Sequence, residues 1–287
     1  MRKFAPLALA ALVLFSGCVG VIGDDTASGP TEVDPADADL PPGVTESGLE
    51  DPEALVAAHK ETLNREGFVL RGHHVFTASS NRDSEEKREY KNESINVTVA
   101  PGGTPLLIET RFHDDSAVTS GQIWANESTN FGRLVHGNNS TVVGSKGEPN
   151  LKWIQKPTKA PVYELYLTLG NPNYTIEKVV ERDGHTFTTL VANETVEVGE
   201  DGDTRNHTAR FVVDERGIVH EAVIDHENGP DTGHLEYRIV ELGPEPPEAP
   251  AWTDNVTEWA PESESLVSTT DTSLDRYPTV DRTSVVR

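Results

Sequence analysis

The chain has 287 residues, with 48 Asp and Glu against 24 Lys and Arg, a net charge of −24. It lacks the basic footprint that nucleic acid demands and is unsuited to docking directly on anionic headgroups. Its one cysteine, Cys18, excludes an intrachain disulfide and a multi-thiolate metal centre.

The first 17 residues have the three parts of an export signal: a basic start at Arg2 and Lys3, an apolar run from Phe4 to Phe15, and small residues before Cys18. That run is short of the roughly 20 residues that span a bilayer. Cys18 is therefore expected to be the lipidated first residue of the mature protein, anchoring it without spanning. Phe15 stands where such signals more often have leucine, and Arg2-Lys3 falls short of a twin-arginine signal, so the export route stays open. Without residues 1–17 the acids outnumber the bases 48 to 22, a net charge of −26. Acids scattered in this way suit molar salt, where the Debye length is about 3 Å and self-repulsion is screened.

Residues 18–45 are rich in glycine, proline and acids, the composition of a flexible tether. Folding is expected over 46–260, with 261–287 a disordered tail. A helix is predicted from Pro52, with Asp51 as cap, Glu53 on the favourable end of the dipole and Gly67 as stop. Leu55, Ala58, Thr62 and Leu63 form its apolar stripe, with His59 on or near it as a packed side chain.

From Phe68 the period becomes two. Phe68, Leu70 and Phe76 share one face, and Ile95, Val97 and Val99 another such set. Leu106–Phe112, Gln122–Trp124 and Phe131–Val135 continue the strands. Pro161–Leu169 reads as a second helix. Strands resume at Ile176–Arg182 and His185–Ala192, joined by the Asp183-Gly184 hairpin signal. Thr195–Val198, His207–Asp214, Gly217–His226 and His234–Leu242 complete the set. A proline-rich stretch follows, which Trp252 and Trp259 would tie back. The class is α+β: an antiparallel meander with two or three short helices.

Two helices are little cover for about ten strands, so the sheet either curls on itself or leaves a cavity for an apolar ligand. Candidate cavity residues are Phe68, Leu70, Phe76, Phe112, Trp124, Phe211, Leu235, Tyr237 and Ile239. Sequons, Asn-X-Ser/Thr without a central proline, occur at Asn92, Asn96, Asn126, Asn138, Asn139, Asn173, Asn193, Asn206 and Asn255. His73, His74, His113, Asp114, Asp115, His220, His226 and His234 offer ligand chemistry without a chelating spacing. His73 and His74 fall on opposite faces of a strand. Gly102-Gly103 precedes a strand rather than a helix, and no G-x-S-x-G occurs. The reading is of a protein without catalytic residues, metal or cofactor.

The lipobox, the acidic tether, Pro41-Pro42-Gly43-Val44, Asp51-Pro52-Glu53-Ala54-Leu55, His59 and Pro250-Ala251-Trp252 resemble a group of haloarchaeal lipoproteins of unassigned function over roughly residues 1–260. The order of elements is in turn similar to the LolA-like lipoprotein carriers and the mycobacterial lipid-transfer lipoproteins. That resemblance implies a curved, unclosed half-barrel with helices on its concave face, and an acyl ligand there. It also implies placement at the extracytoplasmic face of the cell membrane. The alternative is a non-catalytic, glycosylated structural or interaction module of the envelope.

Overall fold

A computed structural model describes residues 29–79, 88–113, 118–146, 173–198, 203–228, 231–256 and 258–259. In chain order these form β1 (Thr31–Val33), β2 (Val44–Thr45), β3 (Gly48–Leu49) and α1 (Pro52–Glu66). Then come β4 (Phe68–Ser79), β5 (Arg88–Val99), β6 (Leu106–Phe112), β7 (Ser120–Ala125), β8 (Thr129–His136) and β9 (Asn139–Lys146). The second run is β10 (Thr175–Arg182), β11 (His185–Val198), β12 (Asp203–Asp214), β13 (Val219–Asn228) and β14 (Asp231–Leu242), followed by β15 (Glu258–Trp259). Two 3-10 turns, Pro35–Asp37 and Ala251–Asn255, complete the described elements.

Twelve strands make one antiparallel sheet in the order β1-β10-β11-β12-β13-β14-β4-β5-β6-β7-β8-β9, and β15 joins β9 in parallel. Two successive meanders thus lie side by side, and β14 pairs with β4 where they meet. β1 and β2 show that structure begins within the stretch expected to be tether. β1 lies on the edge strand β10, and Val44 is buried.

The helix has the expected bounds because its signals are local. The Asp51 carboxylate accepts from the Ala54 N–H at 3.0 Å, Pro52 needs no donor, and Gly67 closes the end at φ 71°. Leu55 and Leu63 are both buried and contribute roughly 3–6 kcal/mol together. Leu55 belongs to a cluster with Leu190, Phe211, Val213, Ala222, Ile224 and Leu235 from the second meander. Leu63 belongs to another, with Phe68, Leu70, Val97, Val99, Leu106 and Ile108 from the first. Tyr237 packs against both. Its ring lies over Gly72, where an added Cβ would come within 2.5 Å of it.

The sheet is neither closed nor strongly curled, in contrast to the half-barrel expected from sequence. Curling is produced by bulges and kinks. Register shifts occur in the β10–β11, β12–β13 and β14–β4 ladders, whereas the ladders from β4 to β9 run without one. The second predicted helix, Pro161–Leu169, lies outside the described residues; among them α1 is the α-helix. Three strand expectations are corrected. β9 carried no strand prediction. His185–Ala192 and Thr195–Val198 form one strand, β11, whose pairing with β12 is continuous. The strand predicted from Gly217 begins at Val219, because the chain is still turning at Gly217, where φ is 87°.

Candidate functional site

The helix side of the sheet, its inner face, carries Phe68, Leu70, Gly72, His74 and Phe76 on β4 and, opposite them, Val99, Val97, Ile95, Glu93 and Lys91 on β5. Near α1 this face is closed core. Farther along the strands, Phe76, Phe112 and Leu134 are half-buried and belong to neither core cluster, while Ile95 and Ile123 pack on the rim of one. His74 Nδ1 lies 3.4 Å from Glu93 Oε1 at this end, and the His74 ring lies 6.0 Å from that of Phe76. The result is a patchy surface from β4 to β8, in which Glu93 and Lys91 of β5 stand between Phe76 and Phe112.

The structure divides the predicted cavity residues. Phe68, Leu70, Phe211, Leu235 and Ile239 are buried core; Phe76, Phe112 and Tyr237 are half-buried on the inner face. Trp124 is on the opposite side, which corrects its assignment. It pairs in register with Leu107 and stacks on Phe131 at 6.0 Å, and its Nε1–H donates to the Pro247 carbonyl at 3.3 Å. The reason is parity: in β7, Ile123 and Ala125 face inward, so Trp124 faces outward.

Beyond the Leu107, Trp124 and Phe131 group, the outer face of the first meander is polar. Asn96 Nδ2 and Gln122 Nε2 donate to the two oxygens of Glu109, at 3.4 and 2.9 Å, and Arg133 Nη1 donates to Gln122 Oε1 at 3.3 Å. This ladder crosses β5 to β8 beside a shallow cleft of about 270 Å³, lined by Glu109, Arg111, Ser120, Gln122 and Arg133 among others. Its lining suits water and small polar solutes rather than an acyl chain.

The densest charged cluster surrounds the β12–β13 turn. Asp214 is buried, and its Oδ1 accepts from the N–H groups of Arg216 at 3.1 Å and Ile218 at 2.8 Å. Its Oδ2 accepts from Arg216 Nε and Nη2, at 3.0 and 2.7 Å, and from His220 Nε2 at 3.0 Å. Burial alone would raise the Asp214 pKa, but the bonds from His220, Ile218 and Arg216 bring it below the ordinary carboxylate value. Arg216 also reaches Glu66 in the last turn of α1 at 3.3 Å.

A bulge between Val212 and Val213 turns His220 toward Asp214 and Phe187, whose ring it meets edge-on at 5.3 Å. The Val219 N–H instead donates to Nδ1 of the buried His59, at 3.0 Å. Desolvation, with the proximity of His220, lowers the His59 pKa to about 4 against the opposing pull of Asp214. The cluster contains a His–Asp pair but brings no Ser, Cys or Thr hydroxyl or thiol to it among the contacts described. Its chemistry is that of a clamp fastening α1 to the sheet, and sequence reasoning missed it because His59 and Val219 are 160 positions apart.

His73 and His74 lie on opposite faces: His73 donates to Asn92 Oδ1 at 2.9 Å, whereas His74 meets Glu93. His113 pairs with Ser94 at 2.7 Å, and His234 with Asp225 at 2.7 Å. His226 lies across from Gly233, its ring filling the space a Cβ would take. The register shift in β12–β13 places it on the opposite face from His220. Among the described residues no three His, Cys, Asp or Glu side chains are placed to hold one metal ion. Asp114, Asp115 and Cys18 lie outside those residues, and among them no helix is long and apolar enough to cross a membrane.

The asparagines of all nine sequons are described residues. Asn92 and Asn96 lie on β5 with hydrogen-bonded side chains, Asn126 and Asn138 lie in the turns flanking β8, and Asn139 begins β9. Asn193 and Asn206 are on strands, and Asn173 and Asn255 outside them. No family model matches the chain, and no curated protein matches it.

Proposed function

We propose that this chain is an exported protein, anchored in the cell membrane through a lipid on Cys18, that holds a lipid or other apolar ligand against the inner face of its sheet. The observation that carries this reading is the mismatch, among the described residues, between the sheet and its helical cover. Twelve strands span about 53 Å across at about 4.8 Å each, whereas the 15 residues of α1 reach about 22 Å. Half-buried Phe76, Phe112 and Leu134 lie on this face beyond both core clusters.

The finer architecture belonging to this reading is more than one helix on the inner face of an open sheet, with the ligand held between helices and sheet. Residues 147–172 connect β9 to β10, at opposite sides of the sheet, and they include the helix expected at Pro161–Leu169. The test is the Cys18→Ser chain, purified in molar salt and examined by native mass spectrometry and lipid extraction. The reading expects a bound lipid near one per chain, reduced severalfold by Leu134→Asp. Protein free of lipid that also fails to bind a fluorescent fatty acid would refute it.

The second reading, a glycosylated envelope module without a small ligand, draws on the polar outer ladder from Asn96 to Arg133. It expects a protein partner cross-linked on intact cells at Glu109 or Arg111, and no lipid.

A further inference from the structure

We infer that Asn126 is an N-glycan acceptor and that Asn92 and Asn96, despite their sequons, are not. This rests on the export reading, since the donor would be a lipid-phosphate-linked oligosaccharide outside the cytoplasm. In the transfer, Asn126 Nδ2 bonds to the anomeric carbon of the sugar and gives up a proton, and the phosphate leaves with the electron pair of the broken bond.

Asn126 occupies the turn between β7 and β8, with Glu127 and Ser128 exposed beside it. Its Oδ1 accepts from Ser128 N–H at 2.9 Å and Oγ at 3.2 Å, and from Thr129 N–H at 2.9 Å and Oγ1 at 3.0 Å. Four donors fix the side chain through its oxygen, and charge gathering on that oxygen as the nitrogen loses its proton meets donors already in place. The sequon's own hydroxyl, from Ser128, is one of the four. Nδ2 is left as the reactive end, in a turn that can enter another protein's active site without breaking a strand ladder.

β5 offers the opposite situation. It is hydrogen-bonded to β4 on one edge and β6 on the other, so its backbone cannot leave without dismantling the sheet. Both ends of the Asn92 amide are occupied, by His73 at 2.9 Å and by the Tyr90 hydroxyl at 3.2 Å. Asn96 donates through Nδ2 to Glu109, and its Oδ1 is fully buried. A sugar added there before folding would displace the polar ladder.

Trypsin separates these sites, cutting after Lys91, Arg111 and Arg133 to give peptides 92–111 and 112–133. The full chain, exported from an N-glycosylating halophilic archaeal host, is digested and its peptides weighed. Peptide 112–133 is expected to carry a glycan mass increment and 92–111 none; Asn126→Gln and Ser128→Ala each return 112–133 to its bare mass. A processed chain with bare 112–133, or a glycan on 92–111, overturns the inference and leaves the lipid reading standing. A chain that retains residues 1–17 overturns both.

Discussion

Acidification from pH 7 to pH 4.5 should weaken the fold through His59, a single buried side chain. In the folded protein its pKa is lowered to about 4 from 6.5. Between these values the unfolded chain takes up a proton that the folded chain refuses, so its contribution is fully present above pH 6.5 and is lost as pH falls toward 4. At about 1.4 kcal/mol per unit the loss approaches 3 kcal/mol, or a Tm lower by roughly 6–12 °C for a domain of this size. Desolvation is the largest cause of the shift, so molar salt, which screens the surface acids, should leave the effect in place. The control is His59→Asn, whose Oδ1 occupies the position of Nδ1 and keeps an acceptor for Val219 N–H without titrating. Urea unfolding of both proteins at half-unit pH steps reads the difference. The variant should be less stable at pH 7 by about 1–3 kcal/mol for its buried amide, with a much flatter curve below it. If wild type keeps its stability down to pH 5, or the variant falls in parallel with it, His59 is not the titrating group and the reasoning fails.

Asp214→Ala should cost about 3–5 kcal/mol in urea unfolding, because it strands Arg216, His220 and two N–H groups without their acceptor. Glu66→Gln, at the half-exposed end of the same clamp, should cost under about 1 kcal/mol. Gly72→Val should lower stability by about 1–3 kcal/mol, since the new side chain meets Tyr237 and Ile95. Leu55→Ala should cost about 2–5 kcal/mol, with a loss of near-ultraviolet dichroism if α1 releases from the sheet.

Much of the fold was legible because its signals are short-range. Asp51, Pro52 and Gly67 determine the ends of α1 without help from the rest of the chain, and alternation in Phe68–Phe76 and Ile95–Val99 sets the faces of β4 and β5. β9 escaped because Asn-Ser-Thr-Val-Val-Gly-Ser has few large apolar side chains; the Gly137-Asn138 turn signal before it could have found it. β1 escaped because its pairing to β10 is made by main chain, which any residue but proline supplies. The clamp escaped because a register shift between Val212 and Val213 re-aims His220, and alternation alone has no means of showing a bulge. Trp124 stands among the cavity candidates although alternation puts it on the face opposite Ile123.

The two meanders meet along one ladder, between β14 and β4, so their mutual stability depends on what crosses that line. α1 crosses it, with Leu55 in one cluster and Leu63 in the other, and Tyr237 lies on the line itself in the space left by Gly72. The half-buried apolar residues of the proposed ligand face do not cross it: Phe76, Phe112 and Leu134 all belong to the first meander. A ligand there stabilises by mass action only the states in which β4 to β8 are intact. Amide exchange should therefore slow first at the Phe112 end of β6 and around Leu134 in β8, which lie beyond the cluster that holds Leu63 of α1. Protection in β11 and β12 should rise only to the extent that α1 and Tyr237 bind the meanders into one cooperative unit. Equal protection on both sides of the β14–β4 ladder would make the seam as strong as the strands it joins. Protection confined to the first meander would identify α1 as the weaker link.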